Sequence, residues 1–253
     1  MNEQEMSVYD HIGELRKRIL IVVFFFFIAT IGGFFLADRV IIYLQSADEA
    51  SSLTMNAFKL TDPVKIYMQF AFVIGCVVSA PIALYQLWAF ISPGLYDKER
   101  KVTLGYIPIS IILFLTGISF AYFVLFPFVV EFMIRIADKL DINQVIGINE
   151  YFSFLFQLTL PFGLLFQLPV VIMFLTRLGI VTPQFLSSIR KYAYFVLLVI
   201  AAFITPPELL SHLMVTIPLF ILYEISIIIS RISYRKMLKH RQQYEEAVGI
   251  SSE

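Results

Sequence analysis

The chain has 253 residues, 59% of them hydrophobic and 15% charged, with a mean hydropathy of +0.82. So few charged groups cannot cover a water-facing surface, which excludes a soluble globular protein and makes the bilayer the solvent. The formal net charge is zero, and nothing in the composition points to nucleic acid as a partner.

Ahead of the first apolar stretch stands His11 to Arg18, HIGELRKR, which sets Glu14 among bases. Apolar runs then follow at Ile19 to Ala37, Ile66 to Ile91, Leu104 to Val130, Tyr151 to Thr176, Tyr192 to Ile204 and Leu213 to Ser230, all uncharged but the last, which carries Glu224 and whose span is counted from about residue 209. A helix rises about 1.5 Å per residue and needs roughly 20 residues to cross a hydrocarbon core about 30 Å thick; the first four runs qualify. None shows the two-residue alternation of a barrel strand, and lipid admits only helices or closed barrels. The expected fold is all-α: a polytopic membrane protein of six transmembrane helices, forming a single integral membrane domain over 1–253. Arg16, Lys17 and Arg18 before the first run resemble the flank of a secretory signal peptide. Its apolar core is longer than the roughly 7 to 15 residues of such peptides, and acids precede it, so a retained first helix is expected.

Between the first two runs, Asp38 to Lys65 mixes Val40 to Leu44 with charges and ends at Asp62-Pro63. A short interfacial helix and a cap over one membrane face are expected there. Cys76, the lone cysteine, lies inside the second run and reads as a small apolar helix residue. After that run, Tyr96 to Lys101, YDKERK, sets a second glutamate, Glu99, among bases. The third run, at about 40 Å as a helix, must tilt, curve or protrude. The fifth, at about 20 Å, falls short of the core, and Thr205-Pro206-Pro207-Glu208 turns the chain at once. The fifth and sixth helices are therefore a short pair, and the hairpin tip with Glu208 and His212 either thins the bilayer or is covered by neighbouring helices.

Six crossings place the 19 Lys and Arg residues fourteen to five. The N-terminal tail, the Ser92 to Thr103 and Arg177 to Lys191 loops and the C-terminal tail hold the fourteen; Arg39, Lys59, Lys65, Arg135 and Lys139 are the five. This bias puts the N-terminus and the C-terminus in the cytoplasm.

No HExxH, GxSxG, phosphate loop or pair of intramembrane aspartates occurs, so no enzyme, catalytic residue or cofactor is expected. His11 and Glu14 lie three apart, but the other two histidines are remote, and no metal site is expected. Polar residues inside the runs are better candidates, because lipid penalises them unless they pair or line a cavity. They are Gln69 and Gln86, Gln157 and Gln167, and Glu224. Gln167 stands in Phe166-Gln167-Leu168-Pro169, where Pro169 frees a carbonyl one turn earlier; the glutamine can bond that carbonyl or meet a visiting helix. Glu224 is either neutral or paired with a neighbouring base. Glu14 and Glu99 share one membrane face, and two separated carboxylates suit a ligand with two adjacent arginines. Charge balance with Arg16, Arg18, Lys98 or Arg100 is the simpler physical reading, since exposed pairs are worth only about 0 to 1 kcal/mol. A small-molecule or ion secondary transporter is the rival function, faintly suggested by the pairs Pro81/Pro93 and Pro169/Pro183, whose spacings and flanks do not match.

HIGELRKR, SAPIALYQLWAFISPGLYDKER, FAYFVLFP, ITPPELL and IPLFILYEISIIISR together resemble the TatC family, the multispanning subunit of the twin-arginine, Sec-independent protein translocase. The resemblance runs from about His11 to Arg231. It implies six helices in a concave, glove-like bundle in the bacterial cytoplasmic membrane. It also implies a signal-peptide receptor that exports folded proteins using the proton-motive force. Carried over by position, signal-peptide binding falls on Glu14, Leu15, Arg16, Phe90, Glu99 and Arg100, and partner-subunit contact on Gln167 and Glu208. The implied partners are twin-arginine signal peptides of folded cargo, single-span subunits resembling TatA or TatB in a multimeric complex, and membrane lipid. Many relatives carry glutamate where this chain has Gln167, so hydrogen bonding survives there and a proton relay does not.

Overall fold

The computed structural model describes residues 8–46, 55–91, 105–205 and 209–248. The described chain is helical almost throughout. Helix α1 spans Val8–Gln45 and α2 Asp62–Ile91. Helix α3, Tyr106–Phe120, passes through a π-helical turn, Ala121–Leu125, into α4, Phe126–Lys139. Helix α5, Ile148–Leu165, is followed by α6, Leu168–Arg177, then α7, Pro183–Ser188, α8, Arg190–Ile204, and α9, Leu209–Val248. The strand content of the described residues is one pair, β1 (Met55–Asn56) running parallel to β2 (Ile146–Gly147).

Among the described residues, five helical stretches are long and apolar enough to cross a membrane: Ile12–Gln45, Asp62–Phe90, Tyr106–Lys139, Ile148–Arg177 and Ser211–Leu238. The fifth apolar run is a helix as well, but at 15 residues it rises only about 22 Å. Its end is dictated locally. Thr205, which precedes Pro206, is extended at φ −103° and ψ 153°, as a following proline demands.

Of the Asp38 to Lys65 segment, in which the sequence predicts a short interfacial helix, residues 47–54 lie outside the described residues, and Val40 to Leu44 form no separate helix. These residues simply continue α1 to Gln45. Asp38 and Arg39 interrupt the hydropathy, but a charge does not interrupt a helix, whose hydrogen bonds run along the backbone. Asp62 instead organises the entry to α2: its Oδ2 accepts the backbone N–H groups of Phe58 at 3.0 Å and Lys59 at 2.8 Å. Pro63 follows at a helix start, where a missing N–H costs nothing.

Two compact units divide the chain, Met1–Ile112 with Phe126–Leu160, and Leu113–Leu125 with Pro161–Glu253. In the first, α1 and α2 pack along each other through small residues. A Cβ on Gly33 would lie 2.9 Å from the Ala71 carbonyl oxygen, and one on Gly75 would lie 3.2 Å from Thr30 Cα. Lipid offers no hydrophobic drive between helices, so close backbone approach and van der Waals packing must hold them. Against the other side of α2, Phe70 is fully buried and meets the rings of Phe152 and Phe156 of α5, each at 4.9 Å. Gln69 donates to Ser153 Oγ at 3.0 Å in the same seam.

In the second unit α9 packs on α6, α7 and α8. Thr176 and Ser230 share a buried hydroxyl hydrogen bond of 2.7 Å, and Ser226 and Ser230 are fully buried. Gly179, at φ +73°, turns the chain out of α6, a conformation only glycine adopts freely. Thr182 then caps α7, its hydroxyl accepting the Phe185 N–H at 3.2 Å.

Candidate functional site

Glu14 and Arg18 lie one turn apart on α1, the spacing at which a helix brings an acid and a base together. Arg18 Nε donates to Glu14 Oε1 at 3.0 Å, and Arg18 Nη2 donates to the same oxygen. Arg18 Nη1 reaches across to α2 and donates to Gln86 Oε1 at 3.2 Å. The two side chains of the pair are 23% and 24% exposed, sheltered but open to solvent. Both Arg18 contacts fall on Oε1, and Oε2 takes no hydrogen bond from a described residue. A carboxylate accepts several hydrogen bonds, so Glu14 keeps capacity for a second donor.

Leu15 and Arg16 are exposed beside this pair, and Phe90 is half-buried near the end of α2. A shallow cleft of about 390 Å³ runs down the same helix from Gly13 past Arg16, Lys17 and Leu20 to Phe24 and Phe25. Glu99 and Arg100, the other expected members, lie outside the described residues, as does Glu208. The charge balance considered from sequence is present for Glu14: its partner is Arg18. From sequence, Arg18 stands only as a charge-balancing partner and Gln86 only as a polar residue of the second run; neither is assigned to signal binding. The spacing of Glu14 and Arg18 carried the signal for the first; nothing local could have joined Gln86 to a residue 68 positions away.

In the second unit, Gln167 is buried at the break between α5 and α6. Its backbone carbonyl accepts the N–H groups of Val170 and Val171, each at 3.0 Å. Pro169 in the first turn of α6 explains why a new helix starts there. A further carboxylate, Glu224 on α9, is bound on both oxygens: Arg190 Nη2 donates to Oε2 at 2.9 Å and Tyr194 Oη to Oε1 at 2.5 Å. Tyr194 also stacks on Phe220 at 4.4 Å. Glu224 is thus the paired form of the two alternatives open in the sequence, and Arg190, which had served only to orient the chain, is its partner. Among the described residues no three His, Cys, Asp or Glu side chains gather as a metal would require.

The family model for Sec-independent protein translocase protein (TatC) matches residues 10–218. The chain belongs to the TatC family. It is a subunit of the Sec-independent protein translocase and a multi-pass membrane protein. It is 69% identical over 239 residues to the TatCy protein of Bacillus subtilis strain 168, covering 94% of each chain. It is 62% identical to the TatC protein of Halalkalibacterium halodurans, over 98% of this chain and all of that one. A crystal structure described as the twin arginine translocase receptor TatC superposes with a TM-score of 0.78. It is 31% identical, and the match covers 88% of this chain and 99% of that one. The TatC-like motif FAYFVLFP falls on the end of α3, the π-helical turn and the first residues of α4.

Proposed function

We propose that this chain is the signal-peptide receptor of a twin-arginine translocase. It engages folded cargo by the arginine pair of the cargo's signal and exports it across the bacterial cytoplasmic membrane using the proton-motive force. The observation that carries the reading is the carboxylate of Glu14, one of whose oxygens takes no hydrogen bond from a described residue, standing five positions before the apolar run of its own helix in a TatC-family chain. A guanidinium binds a carboxylate through a fork of donors, and a second arginine needs a second acid. Glu99 is that second acid, with Leu15, Arg16, Phe90 and Arg100 forming the surroundings of the signal. Both termini face the cytoplasm on the distribution of basic residues, and the six spans belong to one integral membrane domain. The apolar part of the signal follows the arginines into the membrane.

Single-span subunits resembling TatA, and TatB where present, meet the chain near Gln167 and at the hairpin tip with Glu208. A buried glutamine suits this contact, because an amide can exchange an internal hydrogen bond for one to an arriving helix at little net cost. The transporter alternative has no support among the relatives described above.

The test is the double charge reversal Glu14→Lys with Glu99→Lys in the full chain. Binding of a synthetic twin-arginine signal peptide to the purified protein is expected to be lost while membrane insertion and yield persist. Unchanged peptide affinity would overturn the assignment of both acids.

A further inference from the structure

Building on the reading of Glu14 as the seat of a signal arginine, we propose that Arg18 is an internal competitor for that seat. Gln86 is the partner that retains Arg18 when a signal displaces it. Arg18 offers the same chemical group as the expected ligand and already occupies the carboxylate. Its Nε lies 3.0 Å from Glu14 Oε1 and its Nη2 meets the same oxygen, so the whole contact rests on half of the carboxylate. The strongest guanidinium geometry is the fork in which two N–H groups meet two different oxygens. A signal arginine approaching Oε2, which takes no hydrogen bond from a described residue, can reach that fork, whereas Arg18 in its observed position has not.

Displacement does not strand Arg18. Its Nη1 is already 3.2 Å from Gln86 Oε1 on the neighbouring helix, and the pair remains 23% exposed, so the freed charge keeps a hydrogen bond and contact with water. Gln86 is neutral and cannot hold Arg18 as strongly as a carboxylate does. The arrangement therefore has two positions for one side chain: closed on Glu14, and released toward Gln86.

Competition of this kind lowers the apparent affinity of every cationic ligand by one common factor. It acts as a threshold. A lysine presents a point charge without a planar fork, so its weaker contact is the one pushed below a useful level. Cationic segments in general are then turned away, and a paired-guanidinium signal still binds.

The test titrates purified full-length protein in lipid nanodiscs with a synthetic signal peptide carrying two consecutive arginines, and with its two-lysine counterpart. Arg18→Gln is expected to tighten binding of both peptides by the same factor, about two- to fivefold, the range set by a partly exposed ion pair. Arg18→Lys, which keeps the charge and loses the fork, is expected to fall between the two. In a Glu14→Gln background the Arg18→Gln effect should vanish, because no seat is left to contest. Weaker binding by Arg18→Gln would mean that Arg18 only positions Glu14, and would overturn the proposal. Equal affinity of Arg18→Lys and the unaltered chain, or tightening that persists without Glu14, would reduce Arg18 to general repulsion and overturn it too. Should Glu14→Gln alone leave the two-arginine peptide unaffected, the receptor site itself is misplaced. If Glu14→Gln weakens binding but Arg18→Gln does not tighten it, only the competitor role fails.

Discussion

Glu224 and Glu14 are each held by an arginine, as Glu131 is by Arg135 on α4, and the first two are held differently. Glu224 joins two helices, with Arg190 on one oxygen and Tyr194 on the other. Glu14 is held within its own helix, by one arginine on one oxygen. The number of acceptor positions filled separates an acid that fastens the fold from one that is left able to bind. Exposure does not separate them: the side chain of Glu224 is 37% exposed and that of Glu14 only 24%. Spacing does part of the work, since an i,i+4 pair forms on any helix and commits no second element, while a pair 34 residues apart forms only when α8 and α9 have docked.

The largest effect that bears on this contrast is expected from reversing Glu14 and Glu99 together, which should weaken a twin-arginine peptide by at least about 30-fold, on the roughly 2 to 5 kcal/mol typical of losing a paired charge at an interface. Glu224→Lys should leave that affinity within about twofold, as for a residue that shares no partner with Glu14. A comparable loss from Glu224→Lys would collapse the distinction between the two acids.

Stability should respond the other way round. Glu224→Gln is expected to lower the unfolding free energy by about 1.5 to 3 kcal/mol, the range for hydrogen bonds to charged groups, read from thermal denaturation in detergent. Glu14→Gln should cost only about 0.3 to 0.5 kcal/mol, as for other i,i+4 pairs. Equal shifts in melting temperature would refute the division of labour.

A smaller effect is expected of Tyr194→Phe, which keeps the stacking on Phe220 and removes one donor to Glu224. A loss of about 1 kcal/mol would match a single hydrogen bond; none at all would mean that Arg190 alone satisfies the acid. The smallest is Gly13→Ala on α1, where a new methyl meets nothing within 4 Å. It should stabilise the helix slightly, by up to about 1 kcal/mol on propensity, and leave peptide affinity unaltered. Gly117→Ala is its opposite in the second unit, since a Cβ there would sit 2.6 Å from the Phe162 carbonyl oxygen.

Much of the fold was legible because lipid simplifies the code. Long apolar runs can only be helices, and Pro206 announced the end of α8; Pro169 reads in the sequence as freeing a carbonyl, while the fourth run predicts one span and not α5 and α6. Other features depend on relations that hydropathy does not record. The π-helical turn Ala121–Leu125 is a shift of backbone hydrogen-bond register just before Pro127, whose missing N–H favours such a shift, yet the side chains there look like any apolar helix. The parallel pairing of Met55–Asn56 with Ile146–Gly147 joins segments about ninety residues apart in a register no turn specifies. Glu14 could be found by resemblance, but the occupant of its carboxylate could be found only by geometry.

If Glu14 seats a signal arginine as proposed, its place on α1 bears on how the signal reaches it. The residue precedes Ile19, the start of the apolar run, by five positions on one continuous helix, about 7 Å along the axis. Counted from the start of that run, it falls where lipid phosphates are expected, and these also bind guanidinium groups. On the proposed role of Glu14, an export signal adsorbed on the bilayer would travel in the plane of the carboxylate, and its search would be one of lateral diffusion over a surface rather than of collision from the bulk.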